Sequence, residues 1–150
     1  MKNQKLPTAS KLTIVRQFCN YIPNHLVPQL ARETGVDKQA RTYDEWSHIV
    51  SLCYAQVTHS IGLNDVCDAL QLNSGPLSAI RGATPPTRNN LSHANKVRDP
   101  IMAQKLFWAM YEHLGNLSPQ FVSPKLSDSC RRNVHLRIKE VSVSALRVEC

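Results

Sequence analysis

Arg81, Arg88, Asn89, Asn90, His93, Lys96 and Arg98 fall within eighteen residues, and every one carries a side chain that can grip a phosphate or read a base edge. Asn presents the paired donor and acceptor that match adenine, and Arg presents the fork that matches guanine. Lys96 and Arg98 are of the type that more often meets phosphate. These seven are the candidate DNA-binding residues. The segment before them, Thr84-Pro85-Pro86, is rigid and cannot lie inside a helix. Thr87 is then a suitable N-cap for a helix that turns Leu91, Ala94 and Val97 inward. Ser74-Gly75-Pro76 predicts a single helical turn over Leu77–Ile80, stopped by Gly82. The two pieces together predict a helix-turn-helix-like element over 76–98, with Leu77 and Ile80 packed on Leu91 and Ala94. The five-residue link Gly82–Pro86 is longer than the usual three or four. An ordinary solvated helix, with Asn used for capping, would show the same residues.

No other set of residues suggests chemistry. His25, His48, His59, His93, His113 and His135 pair with no Asp or Glu at a metal-binding or triad spacing. Five cysteines, at 19, 53, 67, 130 and 150, include no Cys-x-x-Cys pair. Cys19, Cys53 and Cys67 occupy apolar helical positions, so they are expected to be structural thiols in a reducing cytoplasm. The glycines are isolated, which argues against a phosphate-cradling loop. The carboxylates are scattered over solvated helix faces, unlike the cluster that holds two catalytic metal ions. The residues therefore predict a binding protein rather than an enzyme, with no metal and no cofactor.

Charge supports a polyanion as the partner. The 150-residue chain has a formal charge of +7, from 18 basic and 11 acidic residues. Lys2, Lys5, Lys11, Arg16 and Arg32 in residues 1–35 face Glu33 alone. Lys38 and Arg41 in residues 36–70 meet five carboxylates, and residues 80–105 are basic again, with Asp99 alone against five cations. Alternating blocks of this kind suit a surface turned toward nucleic acid. No run approaches the ~18 apolar residues of a membrane span, and the basic N-terminus leads into no signal-peptide core. The expected location is the cytoplasm, in association with the nucleoid.

The elements that would hold the basic segment read as helices through residue 117. Leu12, Val15, Cys19 and Ile22 step at three and four, with Ile14, Phe18 and Tyr21 beside them. A second helix is predicted over about Asn24–Glu33, ending at Gly35. Thr42-Tyr43-Asp44-Glu45 predicts a capping box ahead of a third, faced by Trp46, Ile49, Val50, Cys53 and Val57. After Gly62, Leu63, Val66, Cys67 and Leu70 predict a fourth, with Asp65 and Asp68 on its wet side. Asp99-Pro100 begins the last, with Phe107, Met110, Tyr111 and Leu114 as its stripe and Gly115 as its end. Tyr21, Trp46, Tyr54, Phe107, Trp108 and Tyr111 are expected in the core, Trp108 beside the stripe. From Ser118 onward Ser and Pro give way to alternating Val134, Leu136 and Ile138, which suits a short β-hairpin or a poorly ordered tail. The fold class is all-α: a flexible N-terminus over 1–10, a compact multi-helix domain over 11–117, and a tail over 118–150.

The order of pieces resembles the N-terminal helical domain of bacterial DDE transposases of the insertion-sequence-four superfamily. The matching stretches are Phe18-Cys19-Asn20-Tyr21-Ile22-Pro23-Asn24-His25-Leu26, then Thr42-Tyr43-Asp44-Glu45-Trp46 running into Tyr54-Ala55-Gln56-Val57-Thr58. They continue through Ile61-Gly62-Leu63-Asn64-Asp65-Val66 and Asn90-Leu91-Ser92-His93-Ala94-Asn95-Lys96. The resemblance covers about residues 12–120. It implies a domain of unknown function that precedes an RNase H-like catalytic domain and helps bind the element's terminal inverted repeats. It also implies a truncated transposase, whose last residues are out of register and which has no strand-transfer activity. Itself and a full-length transposase are the further partners implied. Asp128-Ser129 echoes the start of a catalytic strand, but no apolar strand precedes it. A helical protein-interaction or dimerisation module, and a small helix-turn-helix regulator, remain as alternatives.

Overall fold

The computed structural model describes residues 9–39, 43–60 and 62–118. The expected tail after Ser118 and the residues 1–8 lie outside them, as does Thr42. The described residues are all-α: α1 (Ala9–Asn20), α2 (Leu26–Thr34), a 3₁₀ turn (Val36–Gln39), α3 (Glu45–Thr58), α4 (Leu63–Leu72), α5 (Ser74–Ser78), α6 (Arg88–Val97) and α7 (Ile101–Leu117). None of these helices is long and apolar enough to cross a membrane.

α3 is the central element. It packs against α1, α2 and α4, and Ser47, His48, Ile49, Val50, Ser51 and Tyr54 are all buried. Two cores meet along it. One gathers Leu12, Val15 and Cys19 of α1 with Val50 and Tyr54 of α3, Val66, Cys67 and Leu70 of α4, Leu77, Ile80, and Leu91 and Ala94 of α6. The other joins Ile22 to Val27, Leu30 and Ala31 of α2, Val36, Ile49, and Met102 and Leu106 of α7. Trp46 and Cys53 border both. Glu33 of α2 and Lys105 of α7 add a 3.2 Å ion pair across the second core's rim.

The N-terminus of α3 forms differently from the expected capping box. Asp44 is the N-cap, in extended conformation, and its Oδ1 accepts the Ser47 amide at 3.2 Å. A carboxylate here satisfies one of the helix's unpaired amides and faces the positive end of its dipole. Asp44→Ala should therefore destabilise the protein by about 1 kcal/mol in chemical denaturation. A loss of under about 0.3 kcal/mol would show that the first turn needs no side-chain cap.

Three other expectations are corrected. Ile14, Phe18 and Tyr21 do form a stripe, but α1 meets α3 with its other face, leaving them 52%, 54% and 60% exposed. Val97 is 40% exposed because only Leu91 and Ala94 of α6 reach the core. Gly115 does not end α7, which runs on to Leu117. A glycine costs a helix about 1 kcal/mol but breaks it only where the backbone turns left-handed. Gly115 does not turn so, whereas Gly35, with φ +72°, does and ends α2.

Candidate nucleic-acid interface

α6 starts where its sequence says it should. Thr87 is extended, and its Oγ1 accepts the Asn90 amide at 3.2 Å. Ahead of it the Pro-containing loop is tied down at several points. Trp46 Nε1 donates to the Ile80 carbonyl at 3.0 Å, and Gln71 Nε2 donates to the Pro86 carbonyl at 3.2 Å. Ser47 Oγ accepts the Thr84 amide at 2.8 Å, which places the loop directly on α3. The helix that braces α6 is α4. Leu77 and Ile80 share a core with Leu91 and Ala94, yet α5 is separated from α6 by residues 79–87. The link is therefore longer still than the five residues, Gly82–Pro86, expected within the helix-turn-helix-like element over 76–98.

With Leu91 and Ala94 inward, the 100° step of an α-helix decides where the other side chains go. Asn89, His93 and Lys96, spaced i, i+4, i+7, fall on one solvent-exposed face. Arg88 is exposed at the first turn, at the seam with α4. Its charge reaches the buried Cys67 thiol, whose pKa is raised by burial and by Asp68 and is pulled back by Arg88. α4 itself exposes Asp65 and Asp68, so the basic surface is bounded by an acidic one.

The remaining candidates are occupied within the fold. Asn90 is half-buried. Arg81 is held in a left-handed conformation, φ +51°. Its Nη2 donates to the Cys19 and Ile22 carbonyls at 2.9 and 2.6 Å, and its guanidinium lies 4.8 Å over the Trp46 ring. Arg98 turns back from the end of α6 onto the start of α3. It donates to the Tyr43 and Asp44 carbonyls and lies 5.5 Å over the Tyr43 ring.

One residue that sequence reasoning passed over orients the helix. Asn95 faces inward, and its Oδ1 lies 2.8 Å from Nε2 of buried His48. An amide oxygen can only accept, so Nε2 carries the proton. Burial pushes the His48 pKa down to about 4, against the pull of the Asn95 hydrogen bond and with a further push from Arg98. Neutral His48 thus joins α3 to α6. Beneath it, Tyr43 Oη donates within a buried group comprising the Ser47 carbonyl, 3.0 Å away, and Ser51 Oγ, 2.7 Å away. Among the described residues no cluster of three or more His, Cys, Asp or Glu could hold a metal ion.

Residues 10–80 match the model of a family described as a domain of unknown function (DUF4372). No curated protein and no solved structure matches the chain. The matched residues take in α1 from Ser10 through α5 and stop one residue before Arg81. The likeness therefore covers most of the helical scaffold and leaves α6 outside it.

Proposed function

We propose that this chain is a DNA-binding domain of the kind that precedes the catalytic domain of a DDE transposase, engaging terminal inverted repeats through α6 and carrying no strand-transfer chemistry itself. The observation that carries the reading is the exposed face of α6. Asn89, His93 and Lys96 stand in one row with Arg88 at its head, while Leu91, Ala94 and Asn95 hold the opposite face to the body. A row of this length and chemistry fits a major groove, where Asn and Arg read bases and Lys meets phosphate. Arg81, exposed yet bonded to the Cys19 and Ile22 carbonyls, and half-buried Arg98, bonded to the Tyr43 and Asp44 carbonyls, hold the fold beside that surface.

The test compares a duplex bearing the element's terminal repeat with a scrambled duplex across a salt series. The proposal expects tighter binding to the repeat at physiological salt. Arg88→Ala with Lys96→Ala should weaken it and make the plot of log K against log salt shallower by roughly 1–2 units. Unchanged affinity and slope in the double variant would remove α6 from the interface.

A protein-interaction module is the second reading, favoured by exposed Ile14 and Phe18 on α1 with exposed Tyr21 just beyond its end. Sedimentation of a strict monomer, with no association with a full-length transposase, would count against it.

A further inference from the structure

Leu91 and Ala94 are the buried side chains of α6, a small apolar footing for a helix whose outer face must meet its ligand in one orientation. Apolar contact is non-directional, so it does not fix the rotation of a helix about its own axis. Hydrogen bonds are directional, and those that hold α6 converge on the start of α3. Ahead of α6, Ser47 Oγ accepts the Thr84 amide at 2.8 Å and lies 3.1 Å from Thr84 Oγ1. The next residue of α3, His48, donates to Asn95 Oδ1 at 2.8 Å, within the last turn of α6. Past that turn, Arg98 Nη1 donates to the Asp44 carbonyl at 3.3 Å and its Nη2 to the Tyr43 carbonyl. The seat is itself braced, because Ser51 Oγ donates to the Ser47 carbonyl at 2.8 Å and accepts from Tyr43 Oη at 2.7 Å. Ser47, His48 and Ser51 are all buried. α6 is thus pinned near both ends to adjacent residues of one helix.

We infer that His48 and Asn95 are positioning residues for base recognition: their bond, with the Ser47–Thr84 bond at the other end, sets the rotation of α6 and so decides which base pattern Asn89, His93 and Lys96 accept. The inference rests on the DNA-binding reading of α6. Asn95 lies two residues from His93, roughly 200° around the helix, and so stands behind the exposed row. Side-chain tips are about 5–6 Å from a helix axis, so a rotation of about 10° moves them by about 1 Å. That exceeds the ~0.5 Å range of distances over which an N–H···O bond is normally found. A base contact is lost by such a shift. A phosphate contact survives it, because Lys is a compact charge on a flexible stem. Loosening the seat therefore costs discrimination between sequences more than it costs affinity.

The experiment uses the full chain at neutral pH, with the repeat-bearing and scrambled duplexes, each variant first checked for native circular dichroism. Asn95→Ala removes the acceptor. Its preference for the repeat over the scrambled duplex should fall by about tenfold, the scale of one misaligned base contact. Its affinity for the scrambled duplex should stay within about twofold of wild type with the same salt slope, since phosphate contacts carry both. His48→Gln keeps a donor for Asn95 and should retain the preference for the repeat. Ser47→Ala is a small change at the other end of α6 and should lower the preference in part, which keeps the test decisive if Asn95→Ala fails to fold. A preference that survives these alanine variants, or an equal loss on the two duplexes, would overturn the inference and leave the DNA reading of α6 standing. A wild-type chain with no preference for the repeat would instead defeat that reading, and this inference with it.

Discussion

Arg81→Ala is expected to destabilise the fold by about 2 kcal/mol or somewhat more, without acting through any bound ligand. The last carbonyls of a helix have no partner within it, and the chain leaving α1 turns at once through Tyr21 and Ile22. Arg81 Nη2 fills that need by donating to Cys19 and Ile22 together. A hydrogen bond from a charged donor is worth about 1.5–3 kcal/mol, and stacking on Trp46 adds about 0.5–1 kcal/mol at a partly exposed site. The backbone works in the other direction. At φ +51° a Cβ carries strain that glycine does not. Arg81→Gly should therefore be more stable than Arg81→Ala by up to about 1 kcal/mol, despite removing more of the side chain. Urea unfolding of the three chains measures both differences. Arg81→Ala within about 0.5 kcal/mol of wild type, or Arg81→Gly the weaker variant, would contradict this account. A loss of DNA affinity at full stability would instead return Arg81 to the interface.

Arg81 also shows where the sequence stops being informative. Its type and its neighbours argue for a DNA contact, but side-chain type does not specify direction. The carbonyls that recruit it lie 62 and 59 residues away in sequence, and those that recruit Arg98 lie 54 and 55 away. The exposed face of α6, by contrast, follows from local facts. Thr87 sets the start, Leu91 and Ala94 set the inward side, and the helical step places Asn89, His93 and Lys96 opposite. α1 marks the intermediate case. Its two apolar rows have the same spacing, and periodicity cannot say which of them α3 will cover. Ser47 and Ser51 sit on the most buried part of α3 and carry no hydrophobic signal at all. They belong there because Ser47 meets Thr84 and Ser51 meets Tyr43 Oη, partners that only the folded chain brings near.

The main effect of acid should come from His48, and its sign follows from burial. The His48 pKa falls from an ordinary 6.5 to about 4 on folding. Between those two values the unfolded chain binds more protons than the folded one, so stability falls as pH falls. The His48 contribution is fully present above about pH 6.5 and is lost progressively down to about pH 4, for a total of roughly 3 kcal/mol. The groups facing the ring explain why a second proton is unwelcome. The Tyr43 ring stands edge-on at 6.0 Å and Arg98 supplies a like charge, while the Asn95 hydrogen bond pulls the other way without overcoming burial. Glu33 acts in the same direction, its carboxyl held low by the Gln29 hydrogen bond and by Lys105, but at the surface. His48→Gln can still donate to Asn95 and cannot titrate. The difference in stability between wild type and this variant should therefore shrink steadily from pH 6.5 to 4, whatever the carboxylates do in both. Parallel curves over that range would mean that His48 does not supply the acid sensitivity. Because Asn95 lies on α6, the same acidification should loosen the helix carrying Asn89, His93 and Lys96. Amide exchange along α6 should then rise in the wild type and not in His48→Gln.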